Sequence, residues 1–219
     1  MVPVVSIVGK KSAGKTLVMG RLVTELKRRG YRVAAVKHSV HSFDLDREGK
    51  DSWQYAQAGS DAVVISSPQK LALIRKVDRD CTLADLSRFI GSDFDIVLAE
   101  GFKQEKTARI EVHRKELGAD LICDPRELLA VVTDERAEHD VAQFALDDAA
   151  GLADLIEKRC LKKAEKETVS LFINGEAIPL NDFVRSMFTN TLLGMVSSLK
   201  RIPSTTVSVD IQVRRKPKE

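Results

Sequence analysis

Residues 9–16 read Gly9-Lys10-Lys11-Ser12-Ala13-Gly14-Lys15-Thr16, and they follow the apolar run Val4-Val5-Ser6-Ile7-Val8 directly. The spacing G-x-x-x-x-G-K-[ST] has a physical use where a buried strand hands over to a helix. Successive backbone N–H groups there can wrap an anion, and the helix dipole favours its charge. A helix pattern does follow. Val18, Leu22 and Leu26 form an i, i+4 stripe with Met19 and Val23 beside it, and Lys27-Arg28-Arg29 then Gly30 mark its end. Gly9, Lys10, Lys11, Ser12, Ala13, Gly14, Lys15 and Thr16 therefore read as a nucleotide-phosphate cradle. Lys15 reaches the outer phosphates and the Thr16 hydroxyl binds Mg²⁺. The plain alternative is a glycine-rich turn that caps an ordinary helix.

A strand–loop–helix opening of this kind commits the chain to an α/β architecture, and the next 150 residues agree. Short apolar runs at residues 31–36, 61–66, 71–77, 93–99, 109–113 and 128–133 alternate with helical patterns near residues 51–58, 82–90 and 147–161. That alternation predicts a P-loop NTPase-like, mainly parallel sheet covered by helices. The chain of 219 residues has room for one such domain, placed at 1–164, and a small second one at 165–219. In the latter, residues 169–173 and 176–180 flank Asn174-Gly175, a strong hairpin signal. Asn181 is placed to cap a helix with a wide apolar stripe, and Thr206 to Val213 alternates like a strand. This predicts a ββαβ (α+β) appendage, with no evident chemistry of its own.

Composition excludes several classes of function. With 35 Lys and Arg against 32 Asp and Glu, the net charge of +3 gives no basic footprint for nucleic acid. Three dispersed cysteines suggest neither disulfides nor a zinc knuckle. The absence of a long apolar run and of a signal peptide leads to the expectation of a cytoplasmic protein with no membrane partner.

Two further segments carry chemistry. Asp95-Ile96-Val97-Leu98-Ala99-Glu100-Gly101-Phe102-Lys103 places Glu100 at the carboxyl end of a buried strand. In a parallel sheet that end meets the phosphate loop, so Glu100 can stand near Mg²⁺, and Gly101 can let a backbone N–H approach a terminal phosphate. Glu100 could equally cap a turn or pair with a lysine. The loop from Lys37 to Ser52 starts on the same rim and holds His38, His41, Asp44, Asp46 and Lys50. Imidazole and carboxylate suit a transition metal. Lys37 and Lys50 read better as anion contacts, and a solvated, internally paired loop is the bland alternative. Asp134, after Val131-Val132-Thr133, is placed either to accept hydrogen bonds from a guanine edge or simply to cap the next segment.

Taken together, Gly9–Thr16, Val36-Lys37-His38, Phe43-Asp44-Leu45-Asp46, Gly49-Lys50-Asp51-Ser52-Trp53, Ala58-Gly59-Ser60-Asp61-Ala62 and Glu100-Gly101-Phe102-Lys103 resemble the molybdopterin-guanine dinucleotide biosynthesis adaptor family, MobB, over about residues 2–160. The resemblance implies a homodimeric, GTP-binding protein that needs Mg²⁺. Such proteins assist molybdopterin guanylyltransferase in converting molybdopterin to its guanine dinucleotide, with slow GTP hydrolysis at most. It also implies that Gly14, Lys15 and Thr16 contact phosphate and Mg²⁺, that Glu100 lies near the metal, and that His38, Asp44, Asp46 and Lys50 line the rim. Any turnover would rest on Lys15 and Glu100. Two other readings use the same phosphate grip: a small-molecule kinase with Asp44 or Asp46 as base, and a nucleotide-driven metal chaperone with His38 and His41 as ligands.

Overall fold

The computed structural model describes residues 2–39, 46–91, 93–118, 120–135, 140–161, 169, 171–173, 176–200, 209 and 211. The chain divides into two compact units, Met1–Glu165 and Lys166–Glu219. His41 and Asp44, the Asn174-Gly175 turn and most of the strand expected at residues 206–213 lie outside the described residues.

In chain order the first unit runs β1 (Val4–Val8), α1 (Lys15–Arg28), β2 (Val33–Lys37), α2 (Asp51–Gln57), β3 (Ala62–Ser67), β4 (Lys70–Arg75), α3 (Leu83–Ile90), β5 (Ile96–Glu100), β6 (Ala108–His113), β7 (Leu128–Thr133), β8 (Gln143–Phe144) and α4 (Ala149–Ile156). A single π-type turn, Glu157–Leu161, extends α4. The main sheet has six strands in the order β2-β5-β1-β6-β7-β8, and all neighbours are parallel. The strand β1 is central, with the chain crossing first to one side of it and later to the other. Its carboxyl end is therefore the switch point, where open α/β sheets bind ligands.

Strand alternation decides what each face buries. Val5, Ile7, Ile96, Leu98, Ile110, Val112, Ala130 and Val132 share one core with Val18, Leu22 and Leu26 of α1 and Leu152 and Ile156 of α4. Leu22, Leu26 and Ile156 are fully buried, and each such side chain contributes about 1.5–3 kcal/mol by leaving water. The opposite face of β6 carries Arg109, Glu111 and His113, all buried as well. Loop backbone satisfies its acid: the Glu111 carboxylate accepts from the N–H groups of Ile122 (2.8 Å) and Cys123 (3.0 Å).

The runs at residues 61–66 and 71–77 do form strands but do not join the main sheet. They pair with each other as an antiparallel ribbon, Ala62 opposite Arg75 and Ser67 opposite Lys70. Only Pro68 and Gln69 separate them, and a parallel crossover needs a dozen residues or more. Helix α2 packs on β3. Val64, Leu71 and Leu73, on the ribbon's other face, are exposed. The short β8 was not anticipated, because two residues carry no periodicity.

The second unit contains β9 (Leu171–Ile173), β10 (Glu176–Ile178) and α5 (Asp182–Ser197). The strands are antiparallel, as the turn residues between them suggest. The Asn181 side chain accepts from the Val184 N–H at 2.9 Å, which caps α5.

Candidate functional site

The loop from Gly9 to Gly14 joins the carboxyl end of β1 to the first turn of α1. Gly9 has φ +149°, and a Cβ on it would land on the Val112 carbonyl oxygen of β6. Only glycine lets the loop leave the sheet this close to the next strand. Ser12 adopts a left-handed conformation (φ 65°) without being glycine, a strain of the sort that folds tolerate at binding sites. Ala13 is buried in the core and donates its N–H to the Lys10 carbonyl at 3.3 Å. The loop is thereby anchored at its far side.

Lys15 curls back over this loop. Its ammonium donates to the carbonyls of Lys10 (2.8 Å) and Gly9 (3.2 Å). Burial lowers its pKa. Glu100 opposes that shift, and the positive charges of Lys103 and Lys37 add to it. Three lysines and one carboxylate thus converge on the same rim. An arriving polyphosphate would relieve the repulsion among the lysines.

Glu100 is the last residue of β5, in register with Ile7 of β1 on one side and Lys37 of β2 on the other. The Thr16 hydroxyl donates to its carboxylate, at 3.2 and 3.4 Å to the two oxygens. One hydroxyl and one carboxylate facing each other at the end of a phosphate loop are hard oxygen donors, the set that suits Mg²⁺. Among the described residues no group of three or more His, Cys, Asp and Glu side chains could hold a metal.

The turn after Glu100 is shaped by close packing. Gly101 has φ +104°, and a Cβ there would meet the His38 Cβ at 3.1 Å. Its N–H donates to the Ile7 carbonyl at 3.0 Å. That amide is used within the sheet. Phe102 follows in a left-handed conformation (φ 57°) and lies against the His38 ring, centroids 5.0 Å apart. The His38 Nε2 is 2.7 Å from Asp80 Oδ2. Asp80 was not foreseen as a rim residue: it sits in the charged run Asp78-Arg79-Asp80, where nothing in the spacing marks it.

The other expected residues separate into groups. Lys10 points away from the cradle, its ammonium donating to the Leu117 carbonyl at 2.9 Å, so only its backbone remains for an anion. Lys11 is exposed. Asp46 and Lys50 line an open cleft with Arg47, Tyr55 and β3, and no residue of the phosphate loop lines that cleft. Asp134 follows β7 on the same rim, two strands from β1. The Lys115 N–H donates to its Oδ1 at 3.0 Å, and Arg114 Nε lies 2.9 Å from Oδ2. That N–H, with Arg114 adding to it, holds the carboxyl below the usual carboxylate range. Arg114 was not recognised as this acid's partner in the sequence.

Known proteins resemble this chain. The family model described as "Molybdopterin guanine dinucleotide synthesis protein B" (MobB) matches residues 4–134. The molybdopterin-guanine dinucleotide biosynthesis adapter protein of Haemophilus influenzae is 35% identical over 157 residues, 71% of this chain and 88% of that one. A putative adapter protein of the same description from Methanocaldococcus jannaschii is 22% identical over 237 residues, 97% of this chain and 98% of the other. That alignment also takes in the second unit. The crystal structure of molybdopterin-guanine biosynthesis protein B superposes with a TM-score of 0.54 at 34% identity, covering 71% of this chain and 98% of that one. The loop, the acid that ends β5 and the strands β1 to β7 lie within the span matched by the family model, and the chain belongs to the MobB family.

Proposed function

We propose that this chain is a cytoplasmic, GTP-binding adaptor of molybdopterin guanine dinucleotide synthesis, holding the nucleotide with Mg²⁺ for the guanylyltransferase that joins it to molybdopterin. The observation that carries the nucleotide grip is the meeting of Lys15, Thr16 and Glu100 at the carboxyl end of β1. Lys15, now bonded to its own loop carbonyls, would contact the phosphates, and the Thr16 hydroxyl and the Glu100 carboxylate would hold the metal. The bound Mg²⁺ supplies charge neutralisation on the phosphate oxygens. Lys37 and Lys103 add positive charge beside them. Asp134 reads the guanine edge. Its two oxygens already accept from Lys115 and face Arg114, yet an ionised carboxylate has capacity for further donors.

Association as a homodimer completes the reading, and the ribbon's open face supports it. Val64, Leu71 and Leu73 stand 58%, 69% and 46% exposed there, more apolar surface than an isolated ribbon gains by leaving bare.

The test is calorimetric titration with GTP and with ATP, each with and without Mg²⁺, on the wild-type protein and on Lys15→Ala and Glu100→Gln. Mg²⁺-dependent binding of GTP in preference to ATP is expected. Lys15→Ala should weaken it about 10- to 100-fold, the loss of a charge-assisted contact. Glu100→Gln should flatten the Mg²⁺ dependence more than it lowers affinity. Preference for ATP with turnover on a small acceptor would favour a kinase instead.

A further inference from the structure

The connection from β6 to β7, residues 114–127, carries the partners of Asp134 and is itself fastened from below and from the side. Below it, the Glu111 carboxylate holds the N–H groups of Ile122 and Cys123. Its near end is a single turn of 3₁₀ helix, Lys115–Leu117, in which the Leu117 and Gly118 N–H groups donate to the carbonyls of Arg114 (2.9 Å) and Lys115 (3.2 Å). Leu117 packs its side chain against the core, which fixes one point of the turn. Its direction is fixed by Lys10, whose ammonium donates to the Leu117 carbonyl at 2.9 Å. The same ammonium lies 3.5 Å from where a Cβ on Gly118 would stand.

This turn also sets Asp134. The Lys115 N–H donates to Asp134 Oδ1 at 3.0 Å, and Arg114 Nε lies 2.9 Å from Oδ2. Both carboxylate oxygens therefore meet residues 114 and 115, and the plane of the carboxylate follows the turn. Reading two neighbouring N–H donors on a base edge depends on that plane, because hydrogen bonds weaken steeply out of line and a recognition group needs placing to about 0.5 Å.

The Lys10 side chain is not needed to hold its own loop. The Lys10 carbonyl already accepts from the Ala13 N–H and the Lys15 ammonium, and Lys15 reaches the Gly9 carbonyl as well. What the Lys10 ammonium holds is the turn, in a loop 107 positions away along the chain. We infer that Lys10 is a positioning residue for base selection: through the Lys115–Leu117 turn it keeps the Asp134 carboxylate in the attitude that tells guanine from a base without the 2-amino group. Its side chain touches neither base nor phosphate. The loop that grips phosphate and the acid that faces the base are thereby joined.

The inference rests on the reading of Asp134 as the acid that faces guanine, and the experiment separates the two. GTP and inosine triphosphate, each with Mg²⁺, are titrated calorimetrically into the full-length protein, and the ratio of their affinities is taken. Inosine triphosphate lacks the 2-amino group but shares the ribose and phosphates, so the ratio cancels whatever a substitution does to the phosphate grip. The wild-type protein should favour GTP about tenfold or more, the effect of one hydrogen bond to a charged acceptor. Lys10→Met keeps the stem and removes the donor, and it should lower the ratio about threefold or more. Lys10→Arg still donates and should keep the ratio within about twofold of wild type. A bond that only stabilised the fold would weaken both nucleotides alike and leave the ratio where it was. A ratio unchanged in Lys10→Met but reduced in Asp134→Ala would overturn the inference and leave the base reading standing. A wild-type protein that does not distinguish the two nucleotides, or a ratio that Asp134→Ala does not reduce, would sink the base reading and this inference with it.

Discussion

Single residues set the terms of this site, and two of them were legible in different degrees. The role proposed for Lys15 rests on the spacing of Gly9–Thr16. The reason for Gly9 does not: it lies in the Val112 carbonyl of β6, a residue more than a hundred positions away. Gly9→Ala replaces a hydrogen with a methyl group that meets rigid backbone, at a φ that alanine avoids. It should cost about 2 kcal/mol or more, read as a lower urea midpoint, together with weakened GTP binding. An unchanged midpoint would mean that β1 and β6 can part more easily than their register implies. Asp80 and Arg114 belong to the same illegible class. Each faces a rim residue, His38 or Asp134, only because the sheet brings separate loops together.

Elements were easier to foresee than their associations. The stripe Val18, Leu22 and Leu26 on α1 and the cap at Thr82 on α3 follow from local chemistry, and the Thr82 hydroxyl and Asp85 form a complete capping box. What fixes α1 against α4 had no local signal. Arg29, just past the end of α1, contacts Asp154 at 2.6 Å and Glu157 at 2.8 Å, donates to the Ala150 carbonyl at 2.9 Å, and pairs with Glu25 at 2.8 Å. Several of these partners face solvent, so Arg29→Ala should cost only about 1–2 kcal/mol at neutral pH. Arg28 and then Arg29 hold the Glu25 carboxyl at about 2. A depressed folded-state pKa gives stability that is present above the ordinary carboxylate range and is lost as pH falls towards 2. The gap between wild type and Arg29→Ala should therefore narrow between about pH 4 and pH 2. A gap constant across that window would assign Arg29 a packing role alone. The ribbon of β3 and β4 is the element whose place was misjudged. Its strands read correctly as strands, but period-2 alternation says nothing of which sheet they join.

The whole molecule is a family domain with a second unit attached. A mainly parallel sheet whose strands bring their carboxyl ends to one crevice could be anticipated, but the order of its strands could not. The cleft beside α2 could not: it depends on a ribbon folding back over a neighbouring helix. Deleting residues 167–219 should leave GTP affinity within about twofold of the full chain, because every proposed nucleotide contact lies in the first unit. Light scattering of the truncated protein should still report a dimer, and Leu71→Asp in the full chain should report a monomer. A dimer lost with the deletion and kept in Leu71→Asp would move the association surface to the second unit. Among the described residues no helix is long and apolar enough to cross a membrane.

The lysine that rests on its own loop, and the hydroxyl that rests on its own acid, make emptiness comfortable. Before any phosphate arrives, the Lys15 ammonium is satisfied by two carbonyls and the Glu100 carboxylate by Thr16. If the chain binds a nucleotide as proposed, loading must break these bonds, and unloading restores them. Part of the gain on capture is thereby cancelled, and departure leaves no bare charge behind. Such a hand closes readily and opens readily, a property better suited to passing cargo on than to keeping it.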